Sequence, residues 1–482
     1  MRKFLDKYHS LSREVKAALW FLACGILQKG IGVIVTPIFT RLLSTDEYGL
    51  YTLFDSWLNL LSVVLTLRLS YGVFMQGLIR YDRNKDEYTS ALMGLTTLCV
   101  LIGLCIYLPA MDFWNGLTGL NTFLMLCLFV AAWAVAMFDF WSTRQRVAYN
   151  YRLLVAVTLL QAFVAPVAGV VAVISTEVCK VEARVFCLVA VEMLIFVWMF
   201  VYYMRRGRCF YHKDYWLQAL KFNVPLVPHY LSQTVLSQAD RVMISSMVSR
   251  AAAGIYGLAS SLSGVMNIVS QAILNSMNPW LYQKIKEGDT RSIARVSYAA
   301  LALIGGANLV LIAFAPEVIA LFAPPEYAQA ALFVPALAGS MFITFMYSLF
   351  ADFEFYYEKT GLVATASVVG AFVNVVLNWV FIPLFGALAA SFTTLVSYLI
   401  YVAMHYVYMR RVQRDEMGGV SVYNPKVLLA ICGAFALGAF ALVMLYQALA
   451  LRVLCVAVGV GILWLKRREL LAIWSELRAG KG

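Results

Sequence analysis

Runs of about 20 apolar residues follow one another along this chain with only short polar breaks between them. Wound as an α-helix, such a run matches the hydrocarbon thickness of a bilayer. A membrane β-strand needs about half as many residues and alternates in polarity, so a β-barrel is excluded. With 62% hydrophobic and 13% charged residues in 482, there is more apolar surface than one soluble core can use. The expected fold is an all-α integral membrane protein. Fourteen spans are predicted, near 16–37, 48–78, 88–110, 120–141, 152–174, 183–204, 222–249, 252–278, 295–315, 329–351, 361–383, 386–409, 425–447 and 449–465. Only Tyr446-Gln447 and Arg452 separate the last two.

The basic residues test this layout independently. With a cytoplasmic N-terminus, the inward segments hold 30 of the 38 lysines and arginines. The outward loops hold only Arg41, Lys180, Arg184, Arg250 and Arg452. This bias places both termini in the cytoplasm. It also explains the net charge of +12 without nucleic acid, because the charge lines the cytoplasmic face of the membrane. No cleavable signal peptide is expected, and no soluble domain interrupts the spans. The nine cysteines lie mostly within spans and form no CxxC pair; small apolar packing is their expected role, with no metal and no cofactor.

Two segments resemble each other. Glu47-Tyr48-Gly49-Leu50-Tyr51 opens span 2, and Ala253-Gly254-Ile255-Tyr256-Gly257 opens span 8 in the same orientation. The repeat implies two parallel six-helix halves. The expected division is 1–206 for the N-terminal lobe, 207–412 for the C-terminal lobe, and 413–482 for spans 13 and 14 with a cytoplasmic tail. Pro225 and Pro228 are expected in the first turns of span 7, where missing amide donors weaken or bend a helix.

Three cations remain inside apolar runs: Lys29, Arg68 and Arg241. Charge at membrane depth costs a few kcal/mol, and it usually faces a polar cavity and marks a function. Buried positive charge points to an anionic passenger such as a lipid phosphate. Lys29 lies too deep to snorkel easily, which favours a cavity over an acid partner. Arg68 offers a planar fork for phosphate, with neutralisation by an acid as the competing role; a continuous helix would set it about 18 Å above Arg80. Arg241, beside Asp240, is either a lock against a neighbouring helix or a substrate contact. Arg41 at the outer mouth of span 1 is either a gate residue or an interfacial anchor. Asp55, Asp139, Glu192 and Asp240 are the acids available for ion coupling, or for neutralising these cations. His229 and His405 read as satisfied core residues.

Further stretches carry a family resemblance. Thr36-Pro37-Ile38-Phe39-Thr40-Arg41-Leu42-Leu43-Ser44 with Glu47-Tyr48-Gly49-Leu50-Tyr51 resembles the start of bacterial polysaccharide-biosynthesis flippases of the multidrug/oligosaccharidyl-lipid/polysaccharide exporter superfamily. Asp240-Arg241-Val242-Met243-Ile244 with Gly254-Ile255-Tyr256 is similar to the family's span-7/8 signature. Pro279-Trp280-Leu281-Tyr282 ahead of Lys286-Glu287-Gly288-Asp289 resembles its central cytoplasmic loop. Tyr357-Glu358-Lys359-Thr360, Asn374, Asn378, Ile382-Pro383 and Phe385-Gly386 resemble its span-11/12 pattern. Gly386-Ala387-Leu388-Ala389-Ala390 departs slightly from the family's Gly-Ala-Ala.

The resemblance implies two lobes around a central cavity and alternating access for an undecaprenyl-diphosphate-linked oligosaccharide in the bacterial inner membrane. Lys29, Arg68, Arg241 and Arg41 would then meet the diphosphate or glycan. The implied partners are that lipid-linked oligosaccharide, membrane lipids and other polysaccharide assembly proteins. Two rivals stand beside this reading. A cation-coupled multidrug antiporter of the same superfamily needs a buried acid in its first helix, where this chain has Lys29. A membrane glycan polymerase or ligase needs a large outward loop with catalytic residues, and the outward loops here are short and lack histidine.

Overall fold

The computed structural model describes residues 12–465 and 467, and among these every regular element is helical. The chain runs α1 (Arg13–Leu42), α2 (Thr45–Thr66), α3 (Val73–Arg80), α4 (Lys85–Tyr107), α5 (Met111–Thr118), α6 (Thr122–Val147), α7 (Tyr151–Ile174), α8 (Lys180–Gly207), α9 (Lys213–Asn223) and α10 (Val227–Met247). It continues through α11 (Arg250–Ser263), α12 (Val265–Glu287), α13 (Thr290–Ala313), α14 (Ala315–Phe322), α15 (Ala330–Tyr356), α16 (Thr360–Phe385), α17 (Ala387–Glu416), α18 (Pro425–Met444) and α19 (Leu449–Leu465). Eleven stretches are long and apolar enough to cross a membrane. Fourteen spans are expected; three further helices among the described residues, α2, α10 and α19, fall short of that measure. α2 and α10 carry interior polar residues, among them Asp55, Asn59, Gln233 and Asp240, and α19 is shorter. The chain is a multi-pass membrane protein. The expected cytoplasmic termini, with the basic tail, lie outside the described residues.

Local chemistry sets the helix starts. Ser44 and Glu47 form a reciprocal capping box on α2: the Glu47 amide donates to Ser44 Oγ at 3.2 Å, and the Ser44 amide donates to Glu47 Oε2 at 2.8 Å. Asp289 caps α13 by accepting from the Ser292 amide at 3.1 Å. Pro225 lies in a 3-10 turn (Val224–Leu226) that interrupts the helical path between α9 and α10, and Pro228 lies in the first turn of α10, where a proline's missing amide is tolerated.

Four expected boundaries are corrected. Span 2 is not one helix, because it stops at Thr66 and resumes at Val73. Span 8 extends to Glu287, so Pro279–Glu287 is helix rather than loop. Span 10 runs on to Tyr356, and span 1 to Leu42, which puts Arg41 in its last turn.

Residues to Gly254 pack as one compact unit and those from Ile255 as a second. In the first, α8 lies against α4, α6 and α7, while α1 packs on α7 and α10 on α2. Among the described residues, two clusters stand out in its core. One gathers Phe74, Tyr88, Phe140 and Trp141; the other gathers Leu53, Phe54, Leu128 and Val185. Near the start of α2 the backbone passes close to α11 at two glycines. A side chain on Gly49 would collide with the Arg250 carbonyl, and one on Gly254 would lie 2.9 Å from the Gly49 amide nitrogen. In the second unit α15 packs on α17, α13 and α12, and α17 also packs on α16. Phe342, Leu349, Phe353 and Tyr423 centre its core.

Candidate transport site

The interruption in span 2 places Arg68 on non-helical backbone. Leu67 and Arg68 adopt left-handed angles, φ 48° and 49°, which cost a non-glycine residue roughly 1 kcal/mol each. Where a helix stops at membrane depth, its last carbonyls need new donors. Asn223, fully buried at the end of α9, supplies them: its side-chain amide donates to the carbonyls of Leu67 and Arg68, both at 2.8 Å. Thr66 Oγ1 accepts from the Arg68 amide at 3.3 Å. The expected height of Arg68 on a continuous helix is therefore withdrawn. Its side chain is half-buried, forms no ion pair among the described residues, and leaves a buried Nε without a partner there. Asp139 on α6 lies within its electrostatic reach.

A second group of charges gathers in the same unit. Arg184, assigned by sequence to an outward loop, is instead buried in the second turn of α8 with 9% exposure. Its guanidinium carbon sits 3.4 Å from the ring centres of both Phe39 and Tyr51, and its Nη1 is buried without a hydrogen-bond partner. Two aromatic faces hold a desolvated cation by an interaction worth about 2 kcal/mol or more. One turn beyond Tyr51, Asp55 Oδ2 lies 3.6 Å from Arg241 Nη1 and so links α2 to α10. Arg241 also approaches Gln238 at 3.4 Å. Asp240 is buried, at 4% exposure. Arg241 thus bridges α10 to α2 through Asp55.

Glu192 is buried on α8 and takes a hydrogen bond from Gln161 Nε2 at 3.2 Å, while its second oxygen has no partner. Among the described residues it forms no ion pair with Lys29 or Arg68. Lys29 is exposed on α1 and forms no ion pair among the described residues either. Arg41 is exposed and donates to the Pro37 carbonyl at 2.9 Å. The structure thus brings together Arg241 with Asp55. Among the described residues, Lys29, Arg68 and Glu192 form no ion pair.

The second unit holds polar groups that sequence reasoning passed over. Asp352 and Glu354 lie on the last turns of α15, beyond the apolar run that defined span 10. His405 meets Glu354 at 2.7 Å. Arg452, also placed by sequence in a loop, is 2% exposed in the first turn of α19. It grips both oxygens of Glu317 at 2.7 Å and donates to the carbonyls of Ala313, Leu445 and Tyr446. Asn374 and Asn378 join Thr394 and Thr393 in a buried cluster between α16 and α17, with Asn374 donating to Thr394 Oγ1 at 3.2 Å. An acid just past an apolar run, three to five residues before the turn at Tyr357, was the signal available for Asp352 and Glu354.

Comparison with known proteins gives consistent matches. The profile of the family described as "polysaccharide biosynthesis protein" matches residues 15–285, and that of MatE matches residues 225–380. A protein of the Lsg locus of Haemophilus influenzae is 21% identical over 378 residues, covering 75% of this chain and 89% of that one. The fold is similar to that of the lipid II flippase MurJ in an inward closed conformation, with a TM-score of 0.68 at 12% identity over 94% of this chain and 100% of that one. It is also similar to an inward-facing multidrug resistance MATE family transporter of the MOP superfamily, with a TM-score of 0.64 at 12% identity over 82% and 96%.

Proposed function

Because the chain belongs to the polysaccharide biosynthesis protein family, a family of flippase-type transporters rather than enzymes, we propose that it carries an undecaprenyl-diphosphate-linked oligosaccharide from the cytoplasmic to the outer leaflet of the bacterial inner membrane, by alternating access, for assembly of a cell-surface polysaccharide. One observation supports the reading: among the described residues, neither Lys29 nor Arg68, on the first two spans, forms an ion pair. A cation kept at membrane depth without a counter-ion is available to an anionic ligand, and a diphosphate provides the charge it lacks. Arg68 supplies a bidentate fork and Lys29 a compact mobile charge. Arg41 meets the same passenger at the end of span 1, and Arg241 contributes through its lock on Asp55. Asp55, Asp139, Glu192 and Asp240 are the first unit's candidates for ion coupling. A multidrug antiporter would instead need an acid where Lys29 stands.

The test is export of the surface glycan in cells carrying Lys29→Gln or Arg68→Gln at wild-type protein level. Loss of export with accumulation of lipid-linked glycan on the cytoplasmic side is expected, and chemical analysis of the accumulated lipid would identify the cargo. Wild-type export by both variants would reject the assignment.

A further inference from the structure

Deep in the second unit, Glu354 of α15 and His405 of α17 form a pair that the cation reading does not use. Both side chains are completely buried, and His405 Nδ1 lies 2.7 Å from Glu354 Oε1. The other carboxylate oxygen and the other ring nitrogen are buried with no hydrogen-bond partner. This is an unusual arrangement, since buried polar atoms are nearly always satisfied.

Counting protons shows what the two vacant atoms provide. With a single hydrogen between them, donated by Nδ1–H to the carboxylate, the pair carries one net negative charge. One further proton, on Glu354 Oε2 or His405 Nε2, makes it neutral overall. An uncompensated charge in such surroundings is expensive, so the pair's packing depends on whether that proton is present. No basic side chain substitutes for it. Among the described residues, no lysine or arginine forms an ion pair with Glu354, His405 or Asp352. The groups facing the imidazole are the rings of Tyr347 from α15, 5.4 Å away, and Tyr401 from α17, 4.6 Å away. The Tyr401 hydroxyl is engaged by Ser367 of α16 at 3.2 Å. Asp352 lies two residues from Glu354 and therefore on the opposite side of α15. It accepts from Asn278 of α12 at 3.3 Å, with its second oxygen unpartnered. The ion pair beyond the helix end, Lys359 with Glu416 at 2.8 Å, is made with other residues.

We propose that Glu354 and His405 form a proton-binding site: the buried pair takes up one proton while water is excluded from it and gives it back when water reaches it. This deepens the transporter reading and rests on it, for it makes the proton a coupling ion and puts its site in the second unit. A ligand held by only one of two packings shifts the equilibrium between them, and here the ligand is the proton.

Infrared difference spectroscopy of the purified full chain across a pH series, in light and heavy water, reads the site directly. A protonated-carboxyl band that titrates in wild type should vanish in Glu354→Gln, move its midpoint in His405→Gln, and persist in Asp352→Asn. A band unchanged by both Glu354→Gln and His405→Gln overturns the proposal. If Glu354→Gln does not fold, His405→Gln, which keeps a hydrogen-bonding partner for Glu354, decides alone. In cells, a protonophore should cut wild-type glycan export by about tenfold or more; export indifferent to the protonophore overturns the coupling. The titration is read on the protein alone, so its failure leaves the flippase assignment standing. A failure of the Lys29 and Arg68 test, conversely, does not alter the band.

Discussion

Replacing Gly49 by alanine tests the closest backbone approach in the first unit. A β-carbon on Gly49 would lie only 2.5 Å from the Arg250 carbonyl carbon and closer still to its oxygen. Carbon atoms pack at about 3.5–4.0 Å, so the starts of α2 and α11 must separate by roughly 1 Å. The obstacle is backbone and cannot rotate aside. Overpacking of this kind costs about 1–3 kcal/mol, and the helical preference of alanine over glycine returns up to about 1 kcal/mol. The net expectation is a loss of about 1–2 kcal/mol. Gly254→Ala should behave alike, since its β-carbon would meet Gly49 N at 2.9 Å and Gly49 Cα at 3.2 Å. Gly433 in α18 is the control: nothing lies within 4 Å of its β-carbon position, so Gly433→Ala should be neutral or slightly stabilising. Thermal unfolding of the purified full-length chain, all three variants side by side, measures the difference. If Gly49→Ala and Gly254→Ala unfold at or above the wild-type temperature, the steric reasoning is refuted.

Glu317→Ala should destabilise the second unit by roughly 1–3 kcal/mol in the same assay. It strips the counter-charge from the buried Arg452, but three carbonyl acceptors remain and Glu317 itself is 39% exposed, which screens the pair. The hydrogen bond from Arg452 holds the Glu317 carboxyl below its ordinary range. A lowered acid contributes stability above its unfolded pKa and loses it as the pH falls through the folded value, so the variant should show a shallower loss of stability on acidification than wild type. Asp289→Ala should cost about 1 kcal/mol by uncapping α13, whereas Asp289→Asn should cost much less because the cap survives. Hydrogen bonds from Ser292 hold the Asp289 carboxyl low as well, so the gap between wild type and Asp289→Ala should be full at neutral pH and close on acidification.

The helices themselves were legible because a bilayer demands long apolar runs, and those runs are plain in the residues. Their ends were harder to read wherever a polar side chain finds its partner far along the chain. Asp352 and Glu354 ended the apolar run of span 10, yet the helix continues to Tyr356 because His405, 51 residues away, receives Glu354. Arg184 and Arg452 looked like loop cations for the same reason: the rings of Phe39 and Tyr51, and the carboxylate of Glu317, come from distant segments. The break in span 2 left no local signal. Leucine and arginine rarely adopt left-handed angles, and the group that makes the break tolerable is Asn223, 155 residues beyond Arg68. Of the transport candidates, Lys29, Arg68 and Arg241 were visible as charges at depth. Which of them would be claimed by an acid was not, since Asp55 pairs with Arg241 only once α10 lies on α2.

That break has a mechanical meaning. A straight rod fixes the direction of everything along it, but two rods joined by six non-helical residues need not share an axis. α3 therefore takes a direction of its own, and the joint that carries Arg68 is pinned at its carbonyls by Asn223.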